Sequence, residues 1–438
     1  MEYYINPNDP RYMAETDSRS IQNAIDAAET GPCRTVIIPR RCERTGRDEW
    51  MIDKTILLPS DITIILDDCH LTLVEGVYEN IFRNKNMYTE VSLKPEGKQY
   101  GIRIIGRGEA VLDGGKGNDL RESTSQKDGR PHVRFNNFVL LHNVHDYVLE
   151  NFKCINMRWW AINQIACKHG RLSNLSFWNG KIIPNQDGIN CRIGCSNIII
   201  ENITGRTGDD VVALSAFPVG SDLLLLPEDC DVDIHDITIR NVYAHTRQSI
   251  VALRNHDGAK MYRISIENIV DVGGEYGPWG VVRIGENNYY LNRTSMLGET
   301  YEINVRGVYS RYCGTLYLGA SLKDSHISDI YAGGSALYAI STYFPTIVYP
   351  ENNCKVCGGV SLENVVFDNI HYNAVPNAIE KKNKTFNDGS EDYNGCALDF
   401  RCMRDNDMLK RVVFRDIFVC DGAEMLLADE RYQFDIRN

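Results

Sequence analysis

A polar corner followed by apolar residues recurs through the chain from Phe138 onward, and this repeat limits the possible folds more than any other feature. Each unit places Asn or Asp directly before an aliphatic or aromatic residue. The instances are Asn151-Phe152, Asn174-Leu175, Asn202-Ile203, Asn241-Val242, Asn268-Ile269, Asp329-Ile330, Asn369-Ile370 and Asp416-Ile417. The longest interval contains Gly307-Val308 at a matching place, which predicts two coils there. Short stacked coils with loop insertions produce such a series, whereas fixed helical repeats do not drift so much.

The repeat predicts an all-β chain folded as a right-handed, single-stranded parallel β-helix, a solenoid of stacked coils. The segments between the corners are rich in Ile and Val, and helical periodicity is nearly absent after residue 28. An Asn at the same corner of each coil bonds its own turn and the stacked neighbours, so these residues are expected to form a structural ladder. A β-propeller is the alternative, but its blades require four-stranded repeats of steadier length.

The N-terminal part is expected to cap and begin the solenoid. Residues 17–28 read as a short amphipathic helix that covers the first coil, with Asp17 or Ser18 as its N-cap. Strands are expected at 34–39, 55–58, 62–66, 71–74 and 102–106, and loop excursions at about 77–100 and 115–132. A solenoid can run this long as one unit, so residues 1–438 are predicted to form a single domain.

Charge and the lack of targeting signals narrow the classes of function. The formal net charge of −12 argues against nucleic acid as a partner, because such binding needs a basic face. The N-terminus has neither a basic nor an apolar region of signal-peptide type, and no apolar run approaches a membrane span. We therefore expect no membrane partner. The protein is expected in the cytoplasm if this N-terminus is native, and secreted or periplasmic if a signal was trimmed.

The 14 cysteines are scattered along the chain rather than arranged as a framework. Cys154, Cys167, Cys191 and Cys420 lie among apolar residues, which favours buried reduced thiols. Cys354–Cys357 is the single CxxC pair, and no second pair has the spacing of a zinc site. No nucleotide-binding glycine pattern follows a strand. The sequence therefore predicts no metal and no cofactor.

Two acidic turns carry the candidate chemistry. Asn185-Gln186-Asp187 and Gly208-Asp209-Asp210 flank one strand-rich segment with the length of a coil. On neighbouring coils of a β-helix they lie about 4.8 Å apart along the axis. Three carboxylates that converge in this way provide a general acid and a general base. Like charges this close do not all ionise freely at neutral pH, so one of them is expected to keep its proton.

These turns resemble two active-site motifs of the polygalacturonase-like glycoside hydrolases of family 28, which are pectin-lyase-like parallel β-helices. Asn185–Asp187 is similar to the family's Asn-x-Asp motif, and Gly208–Asp210 is similar to its Gly/Gln-Asp-Asp motif. Ile105–Gly108 and Leu112–Gly115 are similar to its early signature. The resemblance implies inverting hydrolysis, with Asp210 favoured as the acid and the other two carboxylates as the base pair. The sequence leaves open which carboxylate is the acid.

Two further family motifs are altered. In the third, Gly-His-Gly, the corresponding coil has Gln248 or Arg247 where the His would fall. The fourth, Arg-Ile-Lys, keeps Arg283 and has Gly285 in place of Lys. Since these residues help to bind galacturonate in the family, their loss argues against plain polygalacturonan as the substrate. A guanidinium grips a carboxylate with two bonds, so arginines are the expected substrate cations. The predicted substrate-binding residues are Asn185, Gln248, Arg254 and Arg283.

Around these residues the sequence leaves several roles open. Arg254 is expected to add to the grip of Arg283 on the substrate, and a solvated surface position without a binding role is the alternative. His245 and His256 are the nearest histidines to the altered third motif. Either is a candidate to replace the lost His, and a turn or surface role, which the sequence favours, is the alternative for each. The aromatic residues near Arg283 suit a sugar subsite or packing under a loop; they are Tyr276, Trp279, Tyr289 and Tyr290.

The sequence therefore predicts a glycosidase that binds a carbohydrate and cleaves a pectic, uronic-acid-containing glycan or oligosaccharide. One alternative is a non-catalytic glycan-binding β-helix in which the acidic turns are ladder residues. Another is a β-helix polysaccharide lyase or epimerase. Pectate lyases need calcium carboxylates and a basic residue for proton abstraction, and the order of the motifs here fits a hydrolase better.

Overall fold

The structure is a computed structural model that describes residues 4–115, 135–180, 184–218, 220–273, 280–285, 293–312, 314–342, 359–374, 395–401, 409–428 and 430–437. The chain forms two compact units. The first comprises Met1–Asp209 and Val219–Asp231, and the second Asp210–Pro218 and Val232–Asn438. Both units are built from stacked parallel strands, so the predicted parallel β-helix is confirmed. The single domain over 1–438 stays a prediction.

The first unit contains α1 (Asp17–Thr30) and two short 3₁₀ helices, Pro95–Gly97 and Gly220–Leu225. Its strands are β1 (Thr35–Pro39), β2 (Trp50–Ile52), β3 (Ile56–Leu58), β4 (Thr63–Asp67), β5 (His70–Leu73), β6 (Phe82–Asn84), β7 (Gln99–Tyr100), β8 (Arg103–Arg107), β9 (Val111–Asp113), β10 (Val139–His142), β11 (Val144–Glu150), β12 (Lys153–Ile155), β13 (Ile162–Ile165), β14 (Lys168–Trp178), β15 (Ile189–Arg192) and β16 (Ser196–Arg206). The strands β3, β6, β10, β13 and β15 pair in parallel and form one sheet of this unit.

The second unit alternates short strands with long ones. Its strands are β17 (Val212–Ala216), β18 (Ile234–His245), β19 (Ser249–Asn255), β20 (Met261–Asp271), β21 (Gly280–Ile284), β22 (Thr300–Ser310), β23 (Gly314–Leu318), β24 (Leu322–Ala332), β25 (Tyr338–Ser341), β26 (Leu362–Tyr372), β27 (Cys396–Phe400), β28 (Leu409–Val419), β29 (Glu424–Ala428) and β30 (Asp435–Arg437). Each short strand pairs in parallel with the next short one, and each long strand with the next long one. One short and one long strand therefore make a coil.

The core of a coil is a column of apolar side chains in register. Ile237, Ile264 and Ile303 occupy equivalent positions in β18, β20 and β22, and each is at most 1% exposed. Full burial of one such side chain contributes about 1.5–3 kcal/mol. Because the same alternation repeats in every coil, apolar burial sets the register of the stack.

The predicted ladder is confirmed by the backbone at the corners. Asn151, Asn174, Asn202, Asn241 and Asn268 all have positive φ, between 54° and 62°. Asn tolerates this left-handed conformation better than most residues, which explains its recurrence there. The side chains also bond along the stack, since Asn202 Nδ2 donates to Asn174 Oδ1 at 3.0 Å and Asn174 Nδ2 donates to Asn151 Oδ1 at 3.0 Å. Gly307 has φ 76°, and β22 confirms the two coils predicted in the longest interval.

A second series of corners was not predicted. His169, Asn197, Arg263 and Glu302 lie near the starts of long strands and also have positive φ. Their residue types are mixed, so they leave no pattern in the sequence. The ladder of hydrogen bonds to the neighbouring coils holds this backbone shape even for Arg263 and Glu302, whose side chains do not favour it.

Helix α1 covers the first strands, but its predicted N-cap is wrong. It packs against β1, β2 and β3, and its apolar face is buried, with Ile21 and Ile25 fully inaccessible. The N-cap is Thr16, whose side chain accepts from the backbone of Arg19. Asp17 is instead buried and paired with the guanidinium of Arg44 at 2.6 Å. A buried carboxylate requires such a partner, which removes it from the capping role.

Two loop predictions have different outcomes. The excursion at 77–100 contains β6, which pairs in parallel with β3 and β10 and is thus part of the coil stack. Its sequence, Phe-Arg-Asn, is too short and polar to predict a strand. The excursion at 115–132 lies outside the described residues, apart from Gly115.

The cysteine prediction holds for most of the residues on which it rests. Cys154, Cys167 and Cys191 are buried and unlinked, whereas Cys420 is partly exposed. Burial raises the pKa of the Cys154 thiol, which favours the neutral form. The Cys354–Cys357 pair lies outside the described residues. Across the described ranges, the structure contains no helix with the length and apolar character of a membrane span.

Candidate active site

The first acidic turn lies in the first unit, immediately before β15. Asp187 is 4% exposed, and its Oδ2 accepts a hydrogen bond from Asn190 Nδ2 at 3.0 Å. Its backbone carbonyl accepts from the N–H of Ala161, and the next carbonyl accepts from Ile162, both at 2.9 Å. These bonds fix the turn to the coil of β13. Asn190 was not predicted, because its role depends on a side chain that turns back towards Asp187.

The two acidic turns meet within the first unit through main-chain and side-chain bonds. The carbonyl of Gln186 accepts from the N–H groups of Gly208 at 3.1 Å and Asp209 at 3.4 Å. Asn185 has φ 66°, and its N–H donates to Asp209 Oδ2 at 2.7 Å. Asp209 is partly exposed. The structure therefore brings Asn185 and the partly exposed Asp209 into direct contact.

The support beneath the first turn includes a buried arginine. Gln186 Nε2 donates to the carbonyl of Met157 at 2.6 Å. The next residue, Arg158, donates to the carbonyls of Gly114 at 2.6 Å and Leu73 at 3.0 Å. Burial lowers the pKa of Arg158 to about 10. A cation tied to several carbonyls in this way joins coils that are far apart in sequence, and it holds the segment on which Gln186 rests.

The third carboxylate lies in the second unit and is bound to the expected substrate cation. Asp210 is 2% exposed. Its Oδ1 accepts from the N–H of Ser249 at 2.9 Å, and its Oδ2 from Arg283 Nη2 at 3.1 Å. Gln248 is partly exposed and donates its N–H to Thr246 Oγ1 at 3.3 Å. The structure thus pairs Arg283 directly with Asp210. A groove shared by all three carboxylates stays a prediction, as do their catalytic roles.

Arg254 lies on the same face of its sheet as Arg283. In the pairing of β19 with β21, Ala252 is beside Arg283 and Leu253 is beside Ile284. Side chains alternate along a strand, so Arg254 and Arg283 share the face opposite the buried Leu253. The next step of this register places Arg254 beside Gly285. Arg254 is partly exposed, and its guanidinium lies 4.8 Å from the centre of the Phe217 ring.

Gly285 is a position that a side chain cannot occupy. Its φ is 82°, and a Cβ atom there would lie 2.2 Å from the Cβ of Ala320 and 2.5 Å from its backbone nitrogen. Both the backbone conformation and the close approach of the next coil require glycine. The family lysine is therefore sterically excluded at this position in the present structure.

The two histidines near the altered motif are buried, so the surface role considered for them is wrong. His245 Nδ1 lies 3.3 Å from Asp271 Oδ1, and His256 Nδ1 lies 2.6 Å from Asp257 Oδ2. Each carboxylate orients its imidazole ring. The aromatic residues considered for a subsite fall outside the described residues; they are Tyr276, Trp279, Tyr289 and Tyr290.

Metal binding was assessed from side-chain clusters. Over the part of the chain that the structure describes, no group of three or more His, Cys, Asp or Glu side chains is arranged to hold a metal ion. The prediction that the protein uses neither metal nor cofactor remains a prediction.

The match to a known family covers both acidic turns. Residues 90–221 match the sequence model of glycosyl hydrolases family 28. The resemblance to polygalacturonase-like family 28 is confirmed. No curated protein sequence matches the chain significantly. The matched stretch contains Asp187, Asp209 and Asp210, and it ends before Gln248, Arg254 and Arg283.

Solved structures support the fold. The family 28 exopolygalacturonase of Yersinia enterocolitica is similar with a TM-score of 0.55 at 14% identity, covering 100% of this chain and 78% of that one. The hyperthermoactive exopolygalacturonase of Thermotoga maritima has a TM-score of 0.51 at 16% identity, covering 100% and 92%. A tailspike protein of E. coli bacteriophage HK620 has a TM-score of 0.59 at 11% identity, covering 99% and 78%. At these identities the similarity is evidence for the β-helix alone.

Proposed function

We propose that the protein is a glycoside hydrolase that cleaves a pectic, uronic-acid-containing glycan or oligosaccharide with inversion. The observation that carries the proposal is the direct contact between the two acidic turns, in which the Asn185 N–H donates to Asp209 Oδ2 at 2.7 Å. Both turns lie inside the stretch that matches family 28. Ladder residues alone would not require this contact, because the ladder of the first unit runs through Asn151, Asn174 and Asn202.

In the proposed mechanism Asp210 protonates the leaving oxygen, and Asp187 and Asp209 activate a water on the other face of the sugar. Inversion needs about 6.5–9.5 Å between the acid and the base for that water. The hydrogen bond from Asn190 to Asp187 Oδ2 orients one base carboxylate. The Asn185 N–H bond orients the other.

The pairing of Asp210 with Arg283 gives the substrate a part in the proton transfer. An adjacent guanidinium favours the ionised carboxylate, whereas a general acid must begin with a proton. A uronate carboxylate that binds Arg283 competes with Asp210 for the guanidinium. Asp210 then becomes better able to hold a proton in the complex than in the free enzyme. On this proposal, the charge of the substrate helps to prepare the acid.

The proposed substrate differs from plain polygalacturonan. Gly285 excludes a lysine side chain, and Gln248 stands in the altered third motif. Two family contacts to galacturonate are therefore absent, and Arg283 and Arg254 are the proposed cations for the sugar carboxylate. We propose a branched or otherwise different pectic oligosaccharide as the preferred substrate.

A reducing-sugar assay on a panel of pectic oligosaccharides and polygalacturonan tests the function. We expect turnover of at least one uronic-acid-containing oligosaccharide and weak or no turnover of polygalacturonan. Asp187→Asn, Asp209→Asn and Asp210→Asn should each reduce the rate by roughly 10²–10⁴-fold. Asp329→Asn is the matched control, because Asp329 is a ladder carboxylate that accepts from Asn369 Nδ2 at 2.6 Å. It should keep full activity.

Several outcomes would contradict the proposal. Near-full turnover by Asp209→Asn or Asp210→Asn would remove the catalytic assignment. Glycan binding without release of reducing ends would favour the non-catalytic alternative. An unsaturated product would indicate a lyase. Retained anomeric configuration, followed by NMR during the first turnover, would refute the inverting mechanism.

A further inference from the structure

Arg254 is the proposed second substrate cation, and its guanidinium contacts the ring of Phe217, which is itself stacked on His256. Phe217 follows β17, and its ring contacts both the guanidinium of Arg254 and the imidazole of His256. The guanidinium carbon is 4.8 Å from the Phe217 ring centre. The centres of the Phe217 and His256 rings are 4.5 Å apart, with planes inclined by 25°. Phe217 thus makes an aromatic contact with each of the two groups.

The imidazole ring of His256, on which Phe217 stacks, is firmly held. His256 is fully buried, and its Nδ1 lies 2.6 Å from Asp257 Oδ2. Asp257 Oδ1 accepts from the N–H of Arg293 at 2.8 Å. Arg293 in turn makes two bonds to the Glu299 carboxylate, at 2.8 and 2.6 Å. A ring anchored in this way presents a fixed face to Phe217, and Phe217 presents a fixed face to Arg254.

The register explains why a cation at Arg254 matters. One step beyond the printed pairs of β19 and β21, the register brings Arg254 beside Gly285, where no side chain fits. Arg283 lies two residues before Gly285 on the same face. Arg254 and Arg283 are thus two residues apart along the strand direction and one strand apart across the sheet, which corresponds to about 8 Å between their Cα atoms. Arg254 can therefore deliver its charge from the preceding coil to the region that Gly285 leaves without one.

We propose that Phe217 is a positioning residue that holds Arg254 ready to bind a substrate carboxylate in place of the cation that Gly285 cannot carry. The face of a guanidinium stacks on an aromatic ring, while its N–H groups lie in the plane and form the bidentate bonds to carboxylate. Stacking and carboxylate binding thus use different parts of the group. Because arginine has many rotamers, a stacked guanidinium loses less freedom on binding. This inference rests on the proposed function of the site.

The test compares two forms of one substrate. We would measure kcat and KM for an oligogalacturonide-containing substrate of the panel that the wild type cleaves, and for its methyl-esterified form. Phe217→Leu should raise KM for the free acid about tenfold, or about 1.4 kcal/mol. Its kcat should change less than about twofold, and KM for the ester should not change. Phe217→Trp should retain the wild-type KM, because the aromatic face is kept.

A matched control separates positioning from folding. Arg263 lies 4.5 Å from the ring centre of Tyr262 on β20, a similar cation–aromatic pair on a long strand. Tyr262→Leu should leave both KM values unchanged. Equal KM increases for acid and ester in Phe217→Leu would indicate a structural role and overturn the proposal. So would an unchanged KM for the free acid.

Failure of the proposed function can be told apart from failure of this inference. If the wild type cleaves no uronic-acid glycan, the hydrolase proposal fails, and calorimetric titration with oligogalacturonate and its methyl ester decides the role of Phe217. The proposed role of Phe217 would be supported if the wild type binds the acid more tightly than the ester and Phe217→Leu weakens binding of the acid about tenfold. Equal binding of acid and ester, or no binding of either, would overturn it.

Discussion

Replacing Arg283 by Met should destabilise the second unit by about 3 kcal/mol, at the lower end of the range of about 3–5 kcal/mol for breaking a buried ion pair. The side chains of Arg283 and Asp210 are 11% and 2% exposed, and their charged atoms are 3.1 Å apart. Methionine keeps the length of the arginine stem but removes the cation beside Asp210 Oδ2, while Ser249 N–H still donates to Oδ1. Loss of the cation next to a buried carboxylate accounts for most of the loss in stability.

The assay is a double-mutant cycle measured by urea unfolding near pH 7. Asp210→Asn keeps an acceptor for Ser249 and removes the charge, so the double variant should recover about 2 kcal/mol relative to the sum of the single changes. Urea m-values should stay constant, which would show that the same surface unfolds.

The control is an arginine of similar chemistry in an exposed pair. Arg306 lies 3.4 Å from Glu267, and these side chains are 62% and 33% exposed. Arg306→Met should cost less than about 1 kcal/mol. Additive losses in the Arg283 and Asp210 cycle, or a loss in Arg283→Met no larger than in Arg306→Met, would refute the argument that this pair is coupled and buried.

Two further predictions concern the scaffold. At the ladder corner, Asn202 has φ 58°. Asn202→Ala should lower the free energy of unfolding by about 1–2 kcal/mol and Asn202→Gly by less, since glycine accepts this backbone conformation. Equal urea midpoints for the two variants would contradict this prediction. His70 Nε2 lies 2.9 Å from Asp113 Oδ2, and this bond raises the pKa of His70. The resulting stability is fully present below the ordinary histidine pKa of about 6.5 and is lost as pH rises through the higher folded value. The thermal midpoint of His70→Gln should therefore fall below that of the wild type at about pH 5.5 and converge with it by about pH 9, and a gap that does not narrow would contradict the linkage.

The fold was readable from the sequence because its strongest signal is local. A corner with positive φ favours Asn at each coil, and this choice leaves the ladder Asn151, Asn174 and Asn202 visible in the sequence. Apolar alternation between the corners indicates strands in the same way. Where the corner residue is Arg263 or His169, the local preference is weak. The stacked coils then impose the conformation, and the sequence alone does not reveal it.

In the candidate site, too, local features were predicted from the sequence and long-range contacts were not. Its carboxylates, Asp187, Asp209 and Asp210, are found from motifs of three residues each. The contacts of Asp209 with Asn185 and of Asp210 with Arg283 are not, because each joins distant parts of the chain. Arg283 is 73 residues from the Asp210 that it pairs with.

The surroundings of Arg254, the second proposed substrate cation, were likewise not predictable from the sequence. Its place beside Gly285 and over Phe217 follows from strand register. The sequence by itself determined the kind of coil and the chemical groups it carries, since backbone preference and hydrophobic alternation are local properties. The tertiary structure decided which charges meet and which positions exclude a side chain, because these depend on how loops of unequal length bring successive coils into register.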